Sequence, residues 1–314
     1  MVLPRFATVA EFEAAPRTLE LWGPALREIC RLQGLGYRRP RLFTEASAIV
    51  GAIDERYVIK LFHPADGDHA TTERAVLAFL DEVPEVPTPP LAGHGEVERW
   101  PYVVMELLPG RPLGELWDEL GEGEQRALMG PIARLARALH DVGPEGLELP
   151  WPPWHDFVQG QVDGCLAHHQ ATGLADRWCR QIPAFVANLG LTERPAASLR
   201  ILHTELMPAH VLVQPATEGL AISGLIDFEP AMIGHREYEW GAVAIFLSRG
   251  RPGLLGELLR TYGYAPGELD RRLQEQLLGY LLLHRYSRLP WYLDLMPPPG
   301  GPTLADMART WFCF

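Results

Sequence analysis

The sequence predicts an α+β protein with a strand-rich N-terminal part and a larger helical C-terminal part. Three observations carry this. Short β-like runs crowd residues 41–107, helical periodicity dominates from residue 113 onward, and a small strand-rich insert returns at 201–231. Runs of strands followed by runs of helices, without strict alternation, mark segregated α+β architecture. With 314 residues, 47% of them hydrophobic, the chain can fill about two domains.

Residues 1–40 read as amphipathic helix, with Leu21, Leu26, Ile29 and Leu32 near helical spacing. RLFTEASAIVGAIDERYVIKLF, 41–62, reads as two or three short strands, with turn signals at Gly51 and at Asp54-Glu55. Residues 69–82 read as a helix with Ala75, Leu77, Phe79 and Leu80 facing inward. VPEVPTPPLAGHG reads as a proline-rich loop, and WPYVVMELL as a buried strand. Helix is expected over 113–141, a proline-rich break at 147–154, and helices again to about Leu189. ILHTELMPAHVLV and AISGLIDFEPA are β-like runs separated by a polar turn near Glu218-Gly219, and helix follows from Arg236.

The net charge is −12, and no Lys/Arg-rich stripe is present, which argues against a nucleic-acid partner. An acidic surface suits a cationic small molecule, although solubility alone also accounts for it. Cys30, Cys165, Cys179 and Cys313 form no CxxC pair and show no zinc-site spacing, so reduced thiols in a cytoplasm are the simplest account. The first residues lack the basic start and apolar run of a secretory signal, and the longest apolar stretch, near Leu277–Leu283, is too short to span a bilayer. The expectation is a cytoplasmic protein, monomer or homodimer, with no membrane partner.

The chemistry-bearing stretch is 201–234. His203, Thr204 and Glu205 are followed by His210, five residues after Glu205, and then by Val211-Leu212-Val213; Asp227 comes fourteen residues after Val213, in LIDFEPA. In order and spacing this resembles the aminoglycoside phosphotransferase and choline kinase family, relatives of protein kinases. That family's catalytic loop reads His-x-Asp-x-x-x-x-Asn before an apolar strand, and its metal motif reads Ile-Asp-Phe/Trp-Glu/Asp-x-Ala. Upstream, Lys60 in YVIKLF follows a strand as the family's nucleotide-binding lysine does, and Glu73 lies in the next helix.

The resemblance implies a two-lobed protein-kinase-like fold. Residues 1–107 would form a small antiparallel-sheet lobe that binds nucleotide, and 108–314 a larger helical lobe for catalysis and substrate, with a cleft between. It implies ATP or GTP as donor, Mg²⁺ or Mn²⁺ as metal, and an aminoglycoside-like antibiotic as acceptor. Phosphoryl transfer spreads negative charge over phosphate oxygens, so it calls for metal ligands, a cation and a carboxylate that positions the acceptor hydroxyl. Glu205, beside His203 in the catalytic loop, would accept the hydroxyl proton. Asp227 would ligate metal through hard oxygen, joined by Glu229 and by His210. Lys60 would hold the α- and β-phosphates, with Glu73 fixing its ammonium. Ser47, in the small-residue loop Thr44–Ala48, would approach phosphate, and the backbone of Glu106 and Leu107 would read the adenine edge.

Two positions depart from the family pattern. Glu205 stands for its Asp, one methylene longer, and His210 for its Asn, exchanging a carbonyl oxygen for a nitrogen that suits softer ions better. A kinase of another hydroxylated metabolite or antibiotic, and a catalytically weak nucleotide-binding relative, therefore stay open. A two-histidine, one-carboxylate iron site is a more distant alternative, because His203-x-Glu205 supplies only half of it.

Overall fold

A computed structural model describes residues 2–4, 6, 8–44, 46–217 and 219–314. Glu45 of the Thr44–Ala48 loop and Glu218 of the polar turn lie outside the described residues. The chain forms two compact units. The first is Met1–Pro109 with Leu147–Pro150 and Gly224–Pro230; the second is Gly110–Gly146, Trp151–Ser223 and Ala231–Phe314.

The first unit starts with helices α1 (Val9–Glu13) and α2 (Leu19–Leu32). Thr8 and Thr18 cap them, each side-chain oxygen accepting a backbone N–H of the first turn. On α2, Trp22, Leu26, Ile29 and Cys30 share one buried face, packed in a cluster with Phe12, Ile49, Ile53, Ile59 and Val104. The sheet is antiparallel in the order β1-β2-β3-β5-β4. Its strands are β1 (Arg41–Phe43), β2 (Ile49–Ile53), β3 (Tyr57–Leu61), β4 (Leu91–Val97) and β5 (Trp100–Glu106), with α3 (Gly67–Leu80) between β3 and β4.

Two expectations are corrected here. Gly51 is not a turn but lies inside β2, opposite Ile59 and Leu42. A Cβ there would come within 2.7 Å of Leu26 Cδ1, so the glycine lets α2 approach the sheet. The turn itself is the three-residue connection Asp54–Arg56, closed by the Arg56 N–H on the Ile53 carbonyl at 3.0 Å, with φ of 57° and 55° at Asp54 and Glu55. The supposed loop at 83–95 also contains most of β4. Glycines at 93 and 95 hid that strand, yet its exposure alternates residue by residue as a half-covered edge strand should.

In the second unit, β6 (Arg111–Pro112) pairs with β8 (Val211–Pro215), which pairs in turn with β9 (Leu220–Leu225). β7 (Leu199–Leu202) pairs with β10 (Met232–His235), a strand that sequence reading missed. The helix expected over 113–141 begins only at α4 (Glu122–Asp141), where Glu124 accepts the Gly121 N–H at 2.8 Å. α5 (Trp154–Ala171), α6 (Asp176–Cys179) and α7 (Ile182–Ala187) precede β7. α8 (Trp240–Ala242), continued by a π-helical turn to Ser248, leads to α9 (Leu254–Tyr262), α10 (Arg271–Leu282), α11 (Leu289–Leu295) and α12 (Leu304–Trp311). Among the described residues no helix is long and apolar enough to cross a membrane.

Candidate active site

Lys60 sits on β3, the middle strand of the sheet, opposite Val50 and Val103. Glu73 lies on the buried face of α3 with Ala70, Val76, Leu77 and Leu80. That apolar stripe carries a carboxylate inward, and Glu73 is fully buried. The Lys60 ammonium donates to Glu73 Oε2 at 2.8 Å, to Glu229 Oε2 at 3.1 Å and to Asp227 Oδ1. Ser47 Oγ donates to Glu229 Oε1 at 2.9 Å. Lys60, Glu73, Asp227, Glu229 and Ser47 are thus brought together within the first unit.

The charges explain one another. Burial penalises the Lys60 ammonium, but Asp227, Glu73 and Glu229 outweigh it and hold the lysine protonated well above its ordinary range. Burial pushes the Glu73 carboxyl upward, against the pull of Lys60. One cation among three carboxylates leaves excess negative charge, and carboxylate oxygens of Glu73, Asp227 and Glu229 lie within 4.8 Å of one another. Glu73 Oε1 is buried without a hydrogen-bond partner. A hard divalent cation fits this all-oxygen donor set. Asp227 has φ of 74°, a left-handed conformation that Asp tolerates better than most residues.

The second unit carries the other candidates. The main chain of the loop 203–210, between β7 and β8, is gripped by buried side chains from elsewhere in the unit. Glu239, fully buried, accepts the His203 N–H at 2.8 Å and the Leu206 N–H at 3.3 Å. Burial pushes the Glu239 carboxyl up, but the nearby His140 and His203 and the Thr204 N–H more than reverse this and leave it ionised below the usual range. His140 Nε2 stands 3.6 Å from Glu239, and its Nδ1 contacts Tyr262 Oη at 2.9 Å. His284 Nε2 donates to the Thr204 carbonyl at 3.2 Å while its Nδ1 accepts the Tyr286 N–H at 3.2 Å, which fixes a neutral tautomer. Burial lowers its pKa to about 4. Thr204 has φ of 70°, strained for a β-branched residue.

His210 Nδ1 donates to the Glu205 carbonyl at 2.9 Å, since a carbonyl oxygen can only accept. His210 thereby braces the loop through its side chain. One expectation changes at Glu106 and Leu107. Their N–H groups already donate to the carbonyls of Pro90 at 2.9 Å and Arg56 at 2.7 Å. With both N–H groups bonded within the unit, only the carbonyls of Glu106 and Leu107 keep the expected role toward an adenine edge.

Sequence reasoning missed the positioning roles of Glu239, His284 and His140. Nothing in the local sequence ties any of the three to the loop.

A family model described as "Phosphotransferase enzyme family" matches residues 13–275. The chain is 30% identical over 149 residues to an aminoglycoside 3'-phosphotransferase from Streptomyces ribosidificus, a match covering 45% of this chain and about half, 52%, of that relative. Among solved structures it is similar to an aminoglycoside-3'-phosphotransferase of type VIII, with 25% identity and a TM-score of 0.58 over 83% of this chain and 97% of that one. It is also similar in fold to the GDP complex of wild-type aminoglycoside 2'-phosphotransferase-IIIa, with 14% identity and a TM-score of 0.64 over 86% and 96%. The fold is the α+β, kinase-like fold of these phosphotransferases. The chain belongs to the phosphotransferase enzyme family.

Proposed function

We propose that the chain transfers the γ-phosphate of ATP or GTP to a hydroxyl of a cationic, aminoglycoside-like acceptor in the cytoplasm. In this reading residues 1–107 bind nucleotide and 108–314 carry the catalytic loop and the acceptor. The observation that carries it is the Lys60–Glu73–Asp227–Glu229 cluster, buried at Lys60 and Glu73 and partly open at the two motif carboxylates. An ammonium held charged by three carboxylates is a ready phosphate ligand, and the carboxylates are a ready seat for Mg²⁺ or Mn²⁺. Bound there, the ion would neutralise charge on the phosphates. Lys60 holds the α- and β-phosphates, Glu73 restrains Lys60, and Glu229 holds Ser47. Glu205 accepts the proton of the attacking hydroxyl, on a loop whose backbone is fixed by Glu239, His284 and His210.

The acceptor class draws support from the net charge of −12. It also draws support from rings on and beside α11. Trp291, 47% exposed, packs against Phe246 and Tyr292 with ring centroids 5.5 and 5.6 Å apart. The Tyr292 hydroxyl, raised to about 12 chiefly by burial, also feels the charge of Glu205. An aromatic face near the proposed base suits the C–H face of a sugar ring.

The test is nucleotide turnover with ATP and with GTP, in Mg²⁺ and in Mn²⁺, across a panel of aminocyclitol and other hydroxylated amines. Acceptor-dependent release of nucleoside diphosphate is expected, with phosphate recovered on the acceptor. Turnover that no acceptor stimulates, under any of these pairings, would overturn the reading.

A further inference from the structure

The second unit carries a partly open pocket of about 210 Å³ that shares no residue with the Lys60 cluster or the 203–210 loop. Four guanidinium groups line it, those of Arg137, Arg194, Arg200 and Arg236, against two carboxylates, Asp141 and Glu237. Two net positive charges therefore converge in a chain whose overall charge is −12. We propose that this cavity is a second binding site, for a small dianion of the phosphate class: free phosphate or the phosphate group of a small monoester.

The pairing inside the cavity is unequal. Glu237, buried, is engaged by Arg194 at 2.7 Å and by Arg236 at 3.3 Å, and it also receives the Tyr264 hydroxyl at 3.4 Å. Arg236 reaches a second carboxylate, the half-exposed Glu268, at 3.3 Å. Arg137 pairs with Asp141 at 2.5 Å and donates to the Tyr262 carbonyl at 3.1 Å. Arg200 differs from the rest. Among the described residues it has no carboxylate within ion-pair distance, and its guanidinium donates only to the carbonyl of its neighbour Leu199, at 2.8 Å.

Arg137 and Arg236 also sit over the same Tyr262 ring, each with its guanidinium carbon 5.7 Å from the centroid. Two like charges on one ring repel each other, and an anion lodged between them removes that cost. Guanidinium forks match phosphate oxygens in pairs. The neighbouring His235, lowered to about 4 by burial and by Arg194, stays neutral at physiological pH, so the charge of the site rests on arginine alone.

Calorimetric titration of the full chain with inorganic phosphate, and separately with glycerol phosphate, tests this in EDTA at low ionic strength. Without a divalent ion the Lys60 cluster carries more carboxylates than cations and repels both probes, so binding there is suppressed. Saturable one-to-one binding is expected. It should weaken about tenfold or more in Arg200→Gln and in Arg137→Gln, and persist in Lys60→Ala. Arg200→Gln is the decisive variant, because Arg200 bonds nothing but a neighbouring carbonyl and its loss leaves the fold intact. Tighter binding of glycerol phosphate identifies an organic monoester as the ligand, and equal binding identifies free phosphate. No saturable binding below about 10 mM, wild-type affinity in Arg200→Gln, or loss of binding in Lys60→Ala would each overturn the proposal.

Discussion

The Lys60 cluster and the 203–210 loop solve the same problem, holding reactive groups in place, by opposite means. In the cluster the side chains hold each other: one ammonium is shared among three carboxylates, and Glu73 gives up all contact with water. In the loop the main chain is gripped, from outside by Glu239 on two N–H groups and by His284 on one carbonyl, and from within by the His210 side chain on another. The first arrangement stores electrostatic energy and fails when a charge is removed. The second stores geometry and fails by degrees. Substitutions in the two places should differ in kind as well as size.

The largest effect is expected at Asp227. Asp227→Asn keeps a residue that tolerates φ of 74° but removes the charged oxygen, and turnover should fall by roughly a thousandfold with the fold unchanged. Circular dichroism and a turnover assay together check this; near-normal turnover in a folded protein would break the charge-based account of the cluster.

Lys60→Ala comes next. Loss of one charge-assisted phosphate contact should lower turnover by roughly ten- to a hundredfold. It also strands the buried Glu73 carboxylate, at a cost of about 3–5 kcal/mol in unfolding free energy. The double variant Lys60→Ala/Glu73→Gln separates these effects, since stability should recover while turnover does not. Denaturant midpoints alongside rates decide it.

Glu239→Gln loosens the loop and leaves the Lys60 cluster intact. The expected result is kcat down by about tenfold, with KM for nucleotide within about twofold of wild type. A larger change in KM than in kcat would place Glu239 elsewhere in the mechanism.

The clamp also predicts a pH dependence of stability. His284 titrates near 6.5 unfolded and near 4 folded, so below pH 6.5 the unfolded chain binds the extra proton. Stability is therefore full above about pH 6.5 and is lost as pH falls toward 4, by at most about 1.4 kcal/mol per pH unit from this residue. His284→Gln keeps a donor for the Thr204 carbonyl and should flatten that slope. His235, shifted the same way, keeps its own contribution in the variant. An identical slope in wild type and variant would remove His284 as the titrating group.

The smallest effect is expected at His210. His210→Asn can still donate to the Glu205 carbonyl, and if residue 210 also meets metal it replaces nitrogen by oxygen. The Mg²⁺-to-Mn²⁺ turnover ratio should then rise by about two- to fivefold. An unchanged ratio between pH 5.5 and pH 8 would mean that His210 serves the loop alone.

Which parts of the site the sequence revealed follows the same division. Lys60, Glu73, Asp227 and Glu229 announce themselves because each is a charged residue in an apolar strand, helix or motif, and such residues need partners when buried. The order of strands and helices was legible from periodicity for the same local reasons. The bracing of the loop was not, because Glu239, His284 and His140 reach it from 33 to 80 residues away or through one another, and His284 is one of several histidines with no distinguishing neighbour. β4 and β10 escaped because glycines diluted one and only four residues make up the other. Glu106 and Leu107 were placed on the right strand end, but the use of their N–H groups depends on Pro90 and Arg56, which no local pattern could reveal.

A loop gripped by its main chain is indifferent to much of its own spelling. On this loop Glu239 holds two amide hydrogens and His284 a carbonyl, atoms that every residue type except proline supplies alike. Such a scaffold lets position 205 lengthen from Asp to Glu and position 210 change from amide to imidazole without losing its path. The departures from the family pattern fall on a loop whose path is held in part through its backbone amides and carbonyls. The same tolerance makes this loop a natural place for acceptor preference to drift while the machinery that holds nucleotide stays fixed.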